Sequence, residues 1–210
     1  ALTCAVLPLL AVPLAVVGLL DDRLSLPSTW RYGVQLLTAL LMISYSPLVK
    51  GFIPTAAAGD WLLLVGLTLL VIALTAIINF TNFMDGLDGL VAGCMAVAIG
   101  VLSFSLNAPW SLWALVGSLL GFLIWNWSPA KVFMGDVGST FLGAVFAGLV
   151  LQASSWIEAF GYLLVATPLL ADSCLCVPRR LLAGQRVFQA HRLHLFQRLQ
   201  QAGWSHARVS

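Results

Sequence analysis

Five of the chain's eight acidic residues fall in three short polar segments, each at the edge of an apolar run. Asp21-Asp22-Arg23 follows a stretch of about 19 apolar residues. Carboxylates at a helix C-terminus face the negative end of the macrodipole, at a cost of roughly 0.3–1 kcal/mol each. An adjacent pair there needs a cation: a metal ion, Arg23, or the counter-charge of a bound substrate. The alternative is a solvated loop start. The segment Asn79–Gly89 holds Asp85 and Asp88, together with Asn79 and Asn82. Carboxylates three residues apart can share a helical face, and the flanking Gly86 and Gly89 allow a turn or a close ligand. Asp88 could instead cap a helix starting near Gly89. The spacing does not fit an EF-hand loop.

The third segment, Lys131–Ser139, leads into another apolar run. A helix starting there presents free N–H groups and a positive dipole end, a potential anion site. Asp136 as N-cap and Lys131 as an interfacial anchor are the plainer readings. Near the C-terminus lies His191-Arg192-Leu193-His194-Leu195-Phe196-Gln197-Arg198-Leu199. As a helix it could lie on a membrane surface. His191 and His194 make a poor zinc site among arginines, and pairing with phosphate is the better functional reading. Asp172 lies inside an apolar run, where a cap, a hinge or pairing with Arg179 or Arg180 is expected.

The elements that must hold these residues are set by composition. Hydrophobic residues make up 60% of the chain and charged residues 9%, against about 25% charged in an ordinary soluble domain. Part of its solvent is therefore lipid. Runs long enough to span a bilayer predict an all-α, polytopic transmembrane bundle of seven spans: 2–20, 32–49, 61–78, 90–106, 110–127, 137–153 and 157–177, with a tail over 178–210. Asn107-Ala108-Pro109 divides the uncharged stretch between the fourth and fifth. The seventh should stop before Pro178. Alternating the connections across the membrane gathers Arg23, Arg31, Lys131 and the tail's arginines on one side, leaving Lys50 on the other. The positive-inside rule makes the first side cytoplasmic. The same alternation brings Asp21, Asp22, Asp85, Asp88, Asp136 and the histidines to that face. The four cysteines, all in apolar runs, read as small buried hydrophobes. The chain opens at Ala1 within an apolar run, with no signal-peptide pattern, and is expected to be a piece of a longer protein.

Several carboxylates, a lysine, arginines and histidines at one membrane face suit Mg²⁺ and phosphate substrates. Mg²⁺ is commonly held by one or two carboxylates plus substrate oxygens, and phosphoryl transfer needs mainly positioning and charge neutralisation. There is no Walker A or Rossmann glycine pattern. An intramembrane aspartyl protease and a secondary transporter remain open on residues alone. The protease reading leaves Asp21-Asp22 and the histidine tail unused. A transporter would place charges near the bilayer midplane on broken helices.

The ordered segments Leu20–Arg23 (LDDR), Asn79–Leu90 (NFTNFMDGLDGL), Lys131–Ser139 (KVFMGDVGS) and His191–Leu199 (HRLHLFQRL) resemble the polyprenyl-phosphate N-acetylhexosamine-1-phosphate transferases. Their wording is closest to the branch that starts O-antigen synthesis. The resemblance implies transfer of a sugar phosphate from a UDP-N-acetylhexosamine to undecaprenyl phosphate, with release of UMP. It implies Mg²⁺ as cofactor, with Mn²⁺ as a substitute, at the cytoplasmic face of a bacterial inner membrane. The implied partners are the two substrates, membrane lipid and a second copy as a homodimer, with no nucleic acid. By match to the motifs, Asp136 is the leading metal ligand, and Asp21 and Asp22 meet the metal or the lipid phosphate. Asp85 and Asp88, with Gly86 and Leu87, line the nucleotide site. Phe133 stacks on uracil, and Asn82 and Asn126 bond the donor, with Asn79 and Lys131 alongside. His191, Arg192 and His194 contact the pyrophosphate or sugar.

Overall fold

The computed structural model describes residues 2–52, 61–184 and 194–209. Every regular element among them is a helix: α1 (Leu2–Leu24), α2 (Ser28–Ser44), α3 (Pro47–Phe52), α4 (Trp61–Phe83), α5 (Leu90–Ser105), α6 (Trp110–Asn126), α7 (Gly135–Val150), α8 (Trp156–Val165), α9 (Thr167–Leu182), α10 (Leu195–Gln201) and α11 (His206–Val209). Two stretches, Thr3–Leu24 and Trp61–Phe83, are long and apolar enough to cross a bilayer unaided, and α8 with α9 forms a third if counted as one bent span. The chain is a polytopic membrane bundle.

Helix α7 is its axis. It packs against α1 on one side and α4 on the other, and everything from Leu142 to Val150 on it is buried. Small residues make this possible. A Cβ on Gly143 would sit 3.0 Å from the Ile78 Cα on α4. Outward-facing side chains such as Leu64, Leu69, Phe104, Trp110 and Ile124 are instead exposed, as expected where the surrounding solvent is hydrocarbon.

Several boundaries differ from the sequence expectation. Helix α1 runs to Leu24, so Asp21, Asp22 and Arg23 lie on its end rather than after it, and the second span is divided into α2 and α3. Helix α4 continues to Phe83, so Asn79 and Asn82 lie on its last turn rather than in a loop. The seventh span is two helices bent by 95° at Ala166, where Pro168 enters the second helix at its first turn, a position that tolerates a missing N–H. Finally, α9 runs through Pro178 to Leu182. The residue before a proline disfavours helix without forbidding it, and two further prolines, Pro8 and Pro13, lie inside α1. The break between α5 and α6 falls at Asn107–Pro109, with Asn107 at φ 45°.

Candidate active site

The polar segments meet where α1, α4 and α6 end and α2, α5 and α7 begin. Their register is set by Gly18. A Cβ on that residue would lie 2.6 Å from the Val137 backbone nitrogen, so α1 touches the N-terminus of α7 directly. Asp22, one turn beyond Gly18 on the same face, thereby reaches the unpaired amides of that terminus. Its carboxylate accepts the N–H groups of Asp136 (3.1 Å) and Val137 (3.4 Å). Asp136 is therefore not the N-cap of α7. Met134 occupies that position, and a carboxylate from another helix satisfies the amides. Gly135 opens α7 at φ 65° with Asp22 Oδ2 only 2.5 Å from where its Cβ would be, so both the backbone conformation and the space require glycine.

Asp21 points the other way. Its Oδ1 accepts the Leu26 N–H at 2.7 Å and its Oδ2 accepts Arg31 Nη1 at 2.7 Å. The same Arg31 nitrogen lies 3.2 Å from Asp136 Oδ2. The other Asp136 oxygen accepts Asn82 Nδ2 at 2.7 Å, and Asn82 also reaches Ser139 Oγ at 2.9 Å. Asn79, one turn earlier, is occupied with Gln35 of α2 at 2.8 Å and with the Thr75 carbonyl, and so ties α2 to α4.

The two acids of the glycine-bracketed turn part company. Residues 84–89 are not helical, so Asp85 and Asp88 share no helical face. Asp85 faces the acidic cluster, and its carboxyl is pushed up to about 7 by burial and by the Asp136 and Asp22 carboxylates, against a lowering contact from the Gly135 N–H. Asp88 turns outward, accepting the Ala130 N–H at 3.2 Å and lying 3.3 Å from His206 Nδ1. Gly89, at φ 79°, is the N-cap of α5, without a side-chain cap. Asn126 is buried. It accepts the Gly89 N–H and donates to the Val132 carbonyl at 2.8 Å, joining the two loops.

Of the remaining candidates, Leu87 is buried beneath the turn and Gly86 is exposed above it. Phe133 is 74% exposed, open to a planar ligand. Lys131 lies over the Trp125 ring at 5.4 Å. His194 is buried, 3.3 Å from Asp172 Oδ2, and burial lowers its pKa despite that carboxylate. His191 and Arg192 lie outside the described residues. Sequence reasoning passed over Gly18, Arg31, Gln35 and Ser139, whose types carry no motif by themselves. Only Arg31, a basic residue ten positions past Asp21, left a readable signal.

Four acids, an arginine and an asparagine thus converge from α1, α2, α4, α7 and the turn after α4. The model of glycosyl transferase family 4 matches residues 4–154. The chain belongs to that family. Its family 4 relatives include the decaprenyl-phosphate N-acetylglucosaminephosphotransferase of Mycobacterium leprae, 35% identical over 92% of this chain and 56% of the relative. The probable undecaprenyl-phosphate N-acetylglucosaminyl 1-phosphate transferase of Bacillus subtilis is 29% identical over 91% of the chain and 56% of the relative. The phospho-N-acetylmuramoyl-pentapeptide-transferase of Shouchella clausii is 33% identical over 92% and 65%. The chain spans little more than half the length of the first two of these relatives.

Proposed function

We propose that this family 4 chain carries the catalytic part of an enzyme that transfers N-acetylhexosamine 1-phosphate from a UDP-sugar to undecaprenyl phosphate. The convergence of Asp21, Asp22, Asp85 and Asp136 around Arg31 and Asn82, at one end of an apolar bundle, carries the reading. The relatives' names supply the substrate class and favour an N-acetylglucosamine donor. The product would start a surface glycan, O-antigen or related, at the cytoplasmic face of the inner membrane, as the positive-inside count supports. Family membership sets the protease and transporter readings aside.

In the reaction, an oxygen of the acceptor phosphate attacks the β-phosphorus of the UDP-sugar, the pyrophosphate P–O bond breaks, and UMP leaves. A phosphate monoester has a second pKa near 6, so at about pH 7 the acceptor is largely the dianion and needs no strong base. Asp21 bonds the Leu26 N–H and the Arg31 guanidinium, which suits a positioning role. Its work is to hold Arg31, whose guanidinium can bind a phosphate. Asp22 fixes the start of α7 and with it Asp136. Asn82 orients Asp136.

The donor set fits a divalent cation. Asp85 and Asp136 crowd one another as like charges, and a cation relieves that crowding. Among the described residues no three metal-ligating side chains form a ready cage, so substrate oxygens would have to complete the coordination of a Mg²⁺ ion. Asp136 and Asp85 would hold it, with Asp21 and Asp22 behind them as positioning groups. When bound, it would neutralise charge developing on the transferring phosphoryl group.

The test is incubation of radiolabelled UDP-N-acetylglucosamine with membranes bearing the full-length protein, with and without undecaprenyl phosphate and EDTA. Labelled lipid that depends on the acceptor and vanishes in EDTA is expected. No labelled lipid refutes the transfer, and equal label in EDTA refutes the metal.

A further inference from the structure

A carboxylate outside the acidic cluster holds the histidine segment in place. Asp172 lies on the second helix of the bent pair, half-buried. Its Oδ2 accepts the Leu195 N–H at 2.8 Å, at the first turn of α10, and lies 3.3 Å from His194 Nδ1. Among the described residues Arg180, buried two turns further along α9, is a second charged group that acts on His194. The His194 backbone N–H donates to Gln197 Oε1 at 3.2 Å. The His194 ring stacks on Phe196 at 5.7 Å between centroids and 11° between planes. Phe196 is buried, and its ring edge lies 3.2 Å from where a Cβ on Gly86 would be. A physical connection therefore runs from Asp172 through α10 to the residue beside Asp85. A seven-residue helix has almost no stability of its own, so α10 owes its place to these contacts and to the adjoining α11, whose His206 lies 3.3 Å from Asp88.

We propose that Asp172 is a positioning residue that docks the His194–Leu199 segment onto the Asp85–Asp88 turn and so completes the donor site. This rests on the transferase reading above. Substrate need not touch Asp172, which acts through His194 and Phe196.

The test uses the full-length protein in detergent and three variants. Asp172→Ala removes the acceptor. Asp172→Asn keeps an oxygen for the Leu195 N–H. Leu195→Pro removes only the donor, at an exposed first-turn position that suits proline. It follows a His194 whose φ of −62° and ψ of 150° already match a residue before proline. Amide exchange over Leu195–Gln201 is read by mass spectrometry, alongside the KM for the UDP-sugar, kcat and the unfolding temperature. Asp172→Ala and Leu195→Pro should each speed exchange of that peptide by about tenfold or more and raise the KM with the unfolding temperature held, while Asp172→Asn restores both towards wild type. Unchanged exchange in both Asp172→Ala and Leu195→Pro overturns the docking, and faster exchange with an unchanged KM and kcat overturns the positioning role. If wild type makes no labelled lipid, the transferase reading fails by itself and docking is decided by the exchange rates.

Discussion

The acidic cluster and the histidine segment are held to the bundle in different ways. The cluster is built into helix packing: α1 meets α7 backbone to backbone at Gly18, α4 meets α7 at Gly143, and Asp22 closes the first turn of α7. The histidine segment rests on the bundle through a carboxylate–amide bond, a stacked ring pair and one aromatic edge. The first can be displaced only by moving whole helices. The second depends on a few side-chain contacts. The two halves of the site therefore differ in how many elements hold them, the charged centre being tied by five and the histidine wall by a few side-chain contacts.

Breaking the rigid half should have the largest effects. Gly18→Val places side-chain atoms inside the α7 backbone. It should cost about 3 kcal/mol or more as overpacking and abolish transfer, seen as a lower unfolding temperature and no labelled lipid. Arg31→Ala leaves Asp21 and Asp136 facing each other without their shared cation. Transfer should drop by at least about a hundredfold, while Arg31→Lys, a point charge without the planar fork, restores only part. Asp22→Ala removes a helix-terminal acceptor worth about 1 kcal/mol, so the unfolding temperature should fall by a few degrees and the kcat with it. Phe133→Ala, at an exposed ring, should leave stability alone and raise the KM for the nucleotide donor.

A pH measurement sharpens the same contrast. Asp85 is raised from 3.8 to about 7, so between those values the folded, metal-free protein holds a proton that the unfolded chain has lost. Stability without metal should therefore decline as pH rises through that window, and Asp85→Asn should flatten the decline. A divalent cation favours the ionised form, so cation affinity should rise as pH passes about 7 in wild type and much less in Asp85→Asn.

Much of this was legible in the residues. Acids placed at the ends of apolar runs pointed to Asp21, Asp22, Asp85 and Asp136, which the structure brings together. The turn between α5 and α6 followed from Asn107 and Pro109. The division of labour among the acids was not legible. Asp85 and Asp88 look equivalent in sequence, yet a non-helical turn sends one to the cluster and the other to Ala130 and His206. Gly18 reads like any glycine in an apolar helix, because its importance comes from α7, more than a hundred residues away. Asp172 looked like a local cap or partner for Arg179 or Arg180. Its partner belongs to a helix 23 positions on, a distance that local pattern does not reach. The bend at Ala166 was not expected, because an apolar run of that length fits one straight span.

On the proposed function, Asp85 and Asp136 jointly hold a divalent cation at the bundle's charged end. Mn²⁺ titration of the full-length protein, followed by electron paramagnetic resonance of free Mn²⁺, tests it without relying on turnover. Wild type should take up one Mn²⁺ that Mg²⁺ displaces. Asp136→Asn and Asp85→Asn should each weaken that site by about tenfold or more, and Asp172→Ala should leave it unchanged. Mn²⁺ binding that is absent, or equally tight in wild type and in Asp136→Asn, would contradict the account.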